Sequence, residues 1–114
     1  MPRKYSSSVR VFYPELDTEE LVKALTDKVK ALRIMLPLAR AVLFGSYARG
    51  DYTVASDVDV LLVYKGEPRD DAYALCKKIL GIRGLEPHLY TEEEYRAMGD
   101  TVARMTKGGI TLFP

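Results

Sequence analysis

The chain has 114 residues, 47% hydrophobic and 29% charged, with 17 Lys plus Arg against 16 Asp plus Glu and a formal net charge of +1. This is one domain, residues 1–114, with enough apolar chain to bury a core, and its balanced charge gives nucleic acid no strong basic face to bind. One cysteine rules out an internal disulfide framework, and no apolar run approaches a membrane span of about 20 residues or a secretory h-region, which points to a cytoplasmic protein without membrane contact.

Residues 1–10 read as a flexible arm, polar at Ser6-Ser7-Ser8 and thinly basic at Arg3, Lys4 and Arg10. A brief extended stretch over 9–13 stops at Pro14. Asp17 or Thr18 then caps a helix whose first turn carries Glu19 and Glu20. Leu21, Val22, Leu25, Val29, Leu32 and Ile34 recur near helical spacing to about Met35, and Pro37 marks the end. Residues 39–44 form a short apolar strand, 47–49 a single helical turn ended by Gly50, and 51–56 a polar loop. Residues 57–64 are near-continuously apolar after their acids, the pattern of a central strand covered on both faces. A second helix over 69–80 places Ala72, Leu75, Cys76 and Ile79 on one face, where Cys76 reads as a small buried hydrophobe rather than a reactive thiol. Residues 85–90 alternate as a strand, and Pro87 assigns that strand to a sheet edge. Thr91 followed by Glu92, Glu93 and Glu94 has the form of a capping box opening a helix to Met98. A helical segment at 102–105 and a strand at 109–113 complete the chain. The order predicts an α/β (α+β) fold: a mixed sheet of about four strands with helices packed mainly on one side.

Two stretches carry chemistry, Gly45-Ser46-Tyr47-Ala48-Arg49-Gly50-Asp51 and Ser56-Asp57-Val58-Asp59. Residues two apart on a strand share a face, so Asp57 and Asp59 converge with Cα atoms about 7 Å apart. Carboxylates at that spacing can share divalent ions, and Mg²⁺ favours carboxylate and phosphate oxygens with water filling the rest. The Gly-Ser corner offers backbone N–H groups where a helix begins, which suits a phosphate. Alone, an Asp-x-Asp or a Gly-Ser turn is a weak signal. In the order strand, Gly-Ser, helical turn, Asp-x-Asp, strand, they read as a site holding a nucleoside triphosphate through metal.

Gly45-Ser46-x-Ala48-Arg49-Gly50-Asp51 with Ser56-Asp57-x-Asp59 resembles the signature of the minimal nucleotidyltransferases of the polymerase-beta-like superfamily, over roughly residues 18–113. The resemblance implies that Gly45 and Ser46 hold the triphosphate and that Asp57 and Asp59 bind Mg²⁺, two ions in all, with ATP as substrate. It also implies a third acid on a later strand. Glu86 is the candidate, a Glu where relatives often have Asp, and an exposed edge-strand Glu is its alternative reading. Arg49, the basic residue nearest the corner, is assigned to the nucleotide, with a contact to a partner protein or plain solvation as the alternatives. Nucleotide transfer to a hydroxyl follows, and the larger relatives carry a second domain for the acceptor. The resemblance is to the antitoxins paired with HEPN-domain RNases, and it implies AMP transfer to a tyrosine of such a partner. Two other readings stay open: a non-catalytic module that masks its partner, and a stand-alone transferase on a small metabolite or RNA end.

Several residues have plainer readings. His88 shares a strand face with Glu86, so it either lines the site, donating a hydrogen bond to the acid, or packs. Glu92, Glu93 and Glu94 suit a helix N-terminus. Asp51, Asp70 and Asp71 read as loop and helix-start acids rather than ligands.

Overall fold

The computed structural model describes residues 16–53 and 55–113, and the predicted arm at 1–10 and extended stretch at 9–13 lie outside them. Helix α1 (Thr18–Met35) begins at Asp17, whose side chain accepts from Glu20 N at 2.8 Å while Asp17 N donates to Glu20 Oε1 at 3.0 Å. This reciprocal box satisfies two backbone donors that a helix start leaves without intrahelical partners. Strand β1 (Leu38–Phe44) leads through Gly45 into α2 (Ser46–Arg49), and β2 (Val58–Tyr64) follows the loop. Helix α3 (Ala72–Leu80) crosses over to β3 (Leu85–Thr91). Helices α4 (Glu92–Ala97) and α5 (Gly99–Met105) lead to β4 (Ile110–Phe113).

The four strands lie in the order β3-β2-β1-β4. Pairing is antiparallel for β1 with β2 and for β1 with β4, and parallel for β2 with β3, so the sheet is mixed and β3 is an edge, where Pro87 is tolerated. Strand β2 sits between two neighbours and is buried at Val58, Val60, Leu61, Leu62, Val63 and Tyr64.

Alternation divides these side chains between two clusters. Val58, Val60 and Leu62 join Leu21, Leu25, Val29 and Leu32 of α1 and Cys76 and Leu80 of α3 in the larger core. On the opposite face Leu61 and Val63 meet Val42, Phe44 and Val102, with Tyr90, Tyr95 and Met98 packed against them. The longer helices therefore cover one side, and the short α4 and α5 cover part of the other. Each buried Leu or Val contributes about 1.5–3 kcal/mol, so Leu21, Leu25, Val29 and Leu32 hold α1 on the sheet. Ile34, expected on that stripe, is exposed because two residues on from Leu32 it turns to the other side of the helix. Among the described residues no helix is long and apolar enough to cross a membrane.

The second helix starts at Ala72, three residues after the sequence signal at 69. Arg69 is used otherwise: its backbone N–H donates to the Tyr64 hydroxyl at 3.0 Å, and its guanidinium donates to Met35 O and to both oxygens of Asp71. The turn thus ties the ends of α1 and β2 to the start of α3.

Cys76 is fully buried, and desolvation raises its thiol pKa from 9.0 to about 12. The folded protein should therefore not react with a disulfide reagent such as DTNB at pH 8 and should titrate fully in denaturant. In the unfolded chain the thiol ionises from about pH 9 while the folded one keeps its proton toward 12. The native state binds more protons in that window, so stability falls as pH rises through it. Denaturant melts should show wild type losing stability relative to Cys76→Ala between those pH values.

Candidate functional site

Where β1 ends and β2 and β3 begin, strand register brings the predicted acids to one place. Asp59 pairs with Phe44 on the antiparallel side and with Glu86 on the parallel side, and Leu61 pairs with His88. With Val58 and Val60 committed to the larger core, Asp59 takes the opposite face, together with Phe44, Glu86 and His88. Asp57 lies one residue ahead of β2, exposed, and continuing the alternation places it on the side of Asp59.

The corner between β1 and α2 is built around Gly45. Its φ of 81° and ψ of −155° belong to a region open essentially to glycine alone. A Cβ built there would lie 2.6 Å from Asp59 Oδ2, so the missing side chain leaves room for the carboxylate against the backbone. Gly45 caps α2 without a side-chain hydrogen bond, and Gly50, left-handed at φ 85°, ends it with N–H donation to Ser46 O at 2.9 Å. Tyr47 anchors the turn. It is buried, stacks on Tyr52 with ring centroids 4.2 Å apart, and its carbonyl accepts from Thr18 Oγ1 at 2.6 Å. In the loop toward Asp57, the Ser56 hydroxyl accepts from Thr53 N at 2.9 Å and Ser56 N donates to Thr53 O at 3.0 Å.

Asp59 is held from two sides. Its Oδ2 lies over Gly45, and its Oδ1 is 3.1 Å from His88 Nε2. The two side chains keep 27% and 30% exposure, so the pair stands at the mouth of the site rather than in the core. The His88 ring tilts against Phe44 with centroids 4.9 Å apart. Glu86 stands beside Asp59 in register but is exposed. Arg49, also exposed, pairs with Asp51 at 3.3 Å.

The structure therefore gathers Gly45, Ser46, Asp59 and Glu86 around one corner with Asp57 at its rim, while Arg49 is engaged by a neighbouring acid. Glu94 serves the capping box with Thr91, and hydrogen bonds from Arg69 hold the Asp71 carboxyl below its ordinary range, so those acids are accounted for structurally. The side chain that touches Asp59 is His88, outside the expected ligand set. Its signal in the sequence was the period-two spacing from Glu86.

Among the described residues no group of three or more His, Cys, Asp or Glu side chains is gathered closely enough to hold a metal ion. This arrangement still fits a hard divalent cation. The donors are carboxylate oxygens, and the Gly45 cradle leaves Asp59 Oδ2 uncovered by a side chain. Mg²⁺ is commonly held by one or two carboxylates plus substrate phosphates rather than by an all-protein cage.

A family model described as "Nucleotidyltransferase domain" matches residues 19–108. Two proteins of Methanocaldococcus jannaschii are similar in sequence. One, named "Putative protein adenylyltransferase MJ0604", is 38% identical over 76 residues, covering 67% of this chain and 70% of that one. The other, named "Putative protein adenylyltransferase MJ0141", is 45% identical over 51 residues, covering 43% of this chain and 52% of that one. In three dimensions the chain resembles the crystal structure of a "putative nucleotidyltransferase" from Sulfolobus solfataricus. The TM-score is 0.55 at 22% identity, over 92% of this chain and 90% of that one, a likeness of fold.

Replacing Gly45 by Ala tests the corner. Backbone strain of about 1–3 kcal/mol, with a methyl directed at Asp59 Oδ2, should lower the melting temperature by several degrees and displace the carboxylate. Gly50→Ala is the control: it carries a comparable φ of 85° with nothing within 4 Å of the added carbon. It should be strained without disturbing Asp59, and crystal structures of the two variants should differ in that carboxylate's position.

Proposed function

The chain belongs to the nucleotidyltransferase domain family and is a nucleotidyltransferase, and from that premise we propose that it transfers AMP from ATP to a hydroxyl of a partner protein in the cytoplasm. The observation that carries this reading is the Asp59 carboxylate lodged against the Gly45 backbone at the start of α2, with Glu86 in register beside it. A protein acceptor is supported by the names of the two archaeal relatives. The finer identity, a tyrosine of a HEPN-type RNase that the transfer silences, rests on the resemblance of the Gly-Ser and Asp-x-Asp motifs to the antitoxins of such pairs.

On this reading Ser46 and the backbone of the corner receive the β- and γ-phosphates. Asp57 and Asp59 would hold the divalent cations that accompany the triphosphate, with Glu86, in register beside Asp59, as the third acid. Bound Mg²⁺ supplies charge neutralisation on the phosphates and a lowered pKa for the attacking hydroxyl. The residues do the positioning: they hold the α-phosphorus in line between the acceptor oxygen and the leaving pyrophosphate, where proximity and orientation carry much of the rate. The new bond joins the acceptor oxygen to the α-phosphorus, the bond to pyrophosphate breaks, and the hydroxyl proton passes to a carboxylate or water. Arg49 reaches the phosphates only by leaving Asp51, an exchange that costs little because exposed ion pairs are worth about 0–1 kcal/mol.

Intact mass spectrometry of a HEPN-domain partner incubated with this protein, ATP and Mg²⁺ tests the proposal. Wild type should add one adenylyl group, and Asp59→Asn should reduce the rate by at least about a hundredfold, the scale of losing a transition-state charge contact. EDTA should abolish transfer. Equal silencing by both proteins without a mass change would instead identify a masking module, and turnover without any protein acceptor would point to a small metabolite or RNA end.

A further inference from the structure

We propose that His88 is a positioning residue for Asp59: its Nε2–H donates to Oδ1 and so presents Oδ2 to the Gly45–Ser46 corner. The inference rests on the reading of Asp59 as a metal-holding acid and adds to it which oxygen is presented and what holds it.

The geometry has three parts. Register places His88 opposite Leu61 on the parallel neighbour strand, two residues beyond the position opposite Asp59, so its side chain reaches back diagonally across the strand gap. That diagonal is too long for a short side chain and within reach of a ring, and the contact made is 3.1 Å from Nε2 to Oδ1. On the far side the Phe44 ring, tilted 59° at 4.9 Å, limits where the imidazole can turn. Finally, Oδ2 lies against Gly45, where even one methyl group would sit 2.6 Å from it.

An aspartate needs such a hold. Its terminal torsion is broad and two-fold, so a half-exposed carboxylate on a strand samples several orientations unless neighbours select one. Here one oxygen is occupied by an N–H donor and the other lies in a gap with no side chain. A carboxylate that binds metal is itself commonly hydrogen-bonded by an outer group, and loss of that group typically costs 10- to 100-fold in metal affinity or activity. His88 is the sole histidine of the chain.

Two substitutions separate donation from packing. His88→Phe keeps an aromatic ring against Phe44 and removes the donor, whereas His88→Gln retains an N–H donor near the position of Nε2. Mn²⁺ binding to the purified protein, followed by the electron paramagnetic resonance of the free ion, is the primary readout, with kcat and KM for metal–ATP as the second. Phe should weaken Mn²⁺ binding about 10- to 100-fold and raise the metal–ATP KM, with melting temperature within a few degrees of wild type. Gln should recover most of the affinity. The proposal is overturned if Phe binds Mn²⁺ as wild type does, or if Gln is as weak as Phe, because shape rather than donation would then be the role. Asp59→Asn in the same titration keeps this result separate from the metal reading. If wild type and Asp59→Asn bind Mn²⁺ equally or not at all, the metal assignment of Asp59 fails, and with it the role given to His88.

Discussion

The carboxylate of Asp59 can lie against the end of β1 only because residue 45 has no side chain. Antiparallel pairing sets Asp59 opposite Phe44, and regular alternation would turn residue 45 to the other face, but the chain leaves the strand at Gly45 and its backbone comes to lie against the carboxylate. At a φ of 81° and ψ of −155° this residue also turns the chain into α2. One glycine thus meets two demands, a backbone conformation and an empty volume, and an ordinary side chain fails both. The rest of the corner holds that arrangement still: Tyr47 is sunk in the core and stacked on Tyr52, and Thr18 fastens the same turn to the start of α1.

The two faces of the sheet divide the work. The side packed on α1 and α3 is a continuous apolar cluster that includes four buried positions of α1 at helical spacing. The other side changes character along its length. Toward the ends of β2 and β3, Leu61, Val63 and Tyr90 are covered by α4 and α5, whereas at their starts the same face carries Asp59, Glu86 and His88. A rigid, dry face thus backs a polar, half-exposed one. Carboxylates in that position keep access to water and to ligands without the desolvation cost of a buried charge.

Much of this was legible in the sequence because it is local. Asp17 and Thr91 each precede a glutamate by three residues, and both boxes form. Pro87 marks an edge strand, and the apolar run after Asp57 becomes the strand with a neighbour on each side. What depends on register was harder to read. Asp59 and Glu86 meet because two strands separated by a helix align at one particular offset, and no local pattern encodes an offset. Contact between His88 and Asp59 depends on the same alignment. The pairing of Arg49 with Asp51 was also not readable, because sequence proximity to the corner does not show which acid the side chain meets. The late start of α3 has a related cause: Arg69 is drawn to Tyr64 and Met35, partners 5 and 34 residues away.

The sparseness of the acidic site has a physical logic once a nucleotide is considered. Three carboxylates held tightly together would repel one another, raise their own pKa values and lose charge in the absence of a cation. Here Asp57 and Glu86 remain exposed, and only Asp59 is constrained, by a neutral gap on one oxygen and an imidazole on the other. Repulsion is kept low, and solvation of the exposed acids is largely retained. On the proposed reading a polyphosphate with its accompanying divalent ions would supply further oxygens and the opposing charge together, so the substrate itself would complete the site. A site built this way would bind a metal ion weakly on its own and more firmly together with its nucleotide. On the proposed reading that is an advantage, because the groups that neutralise the leaving pyrophosphate come together on the protein only with the bond to be broken.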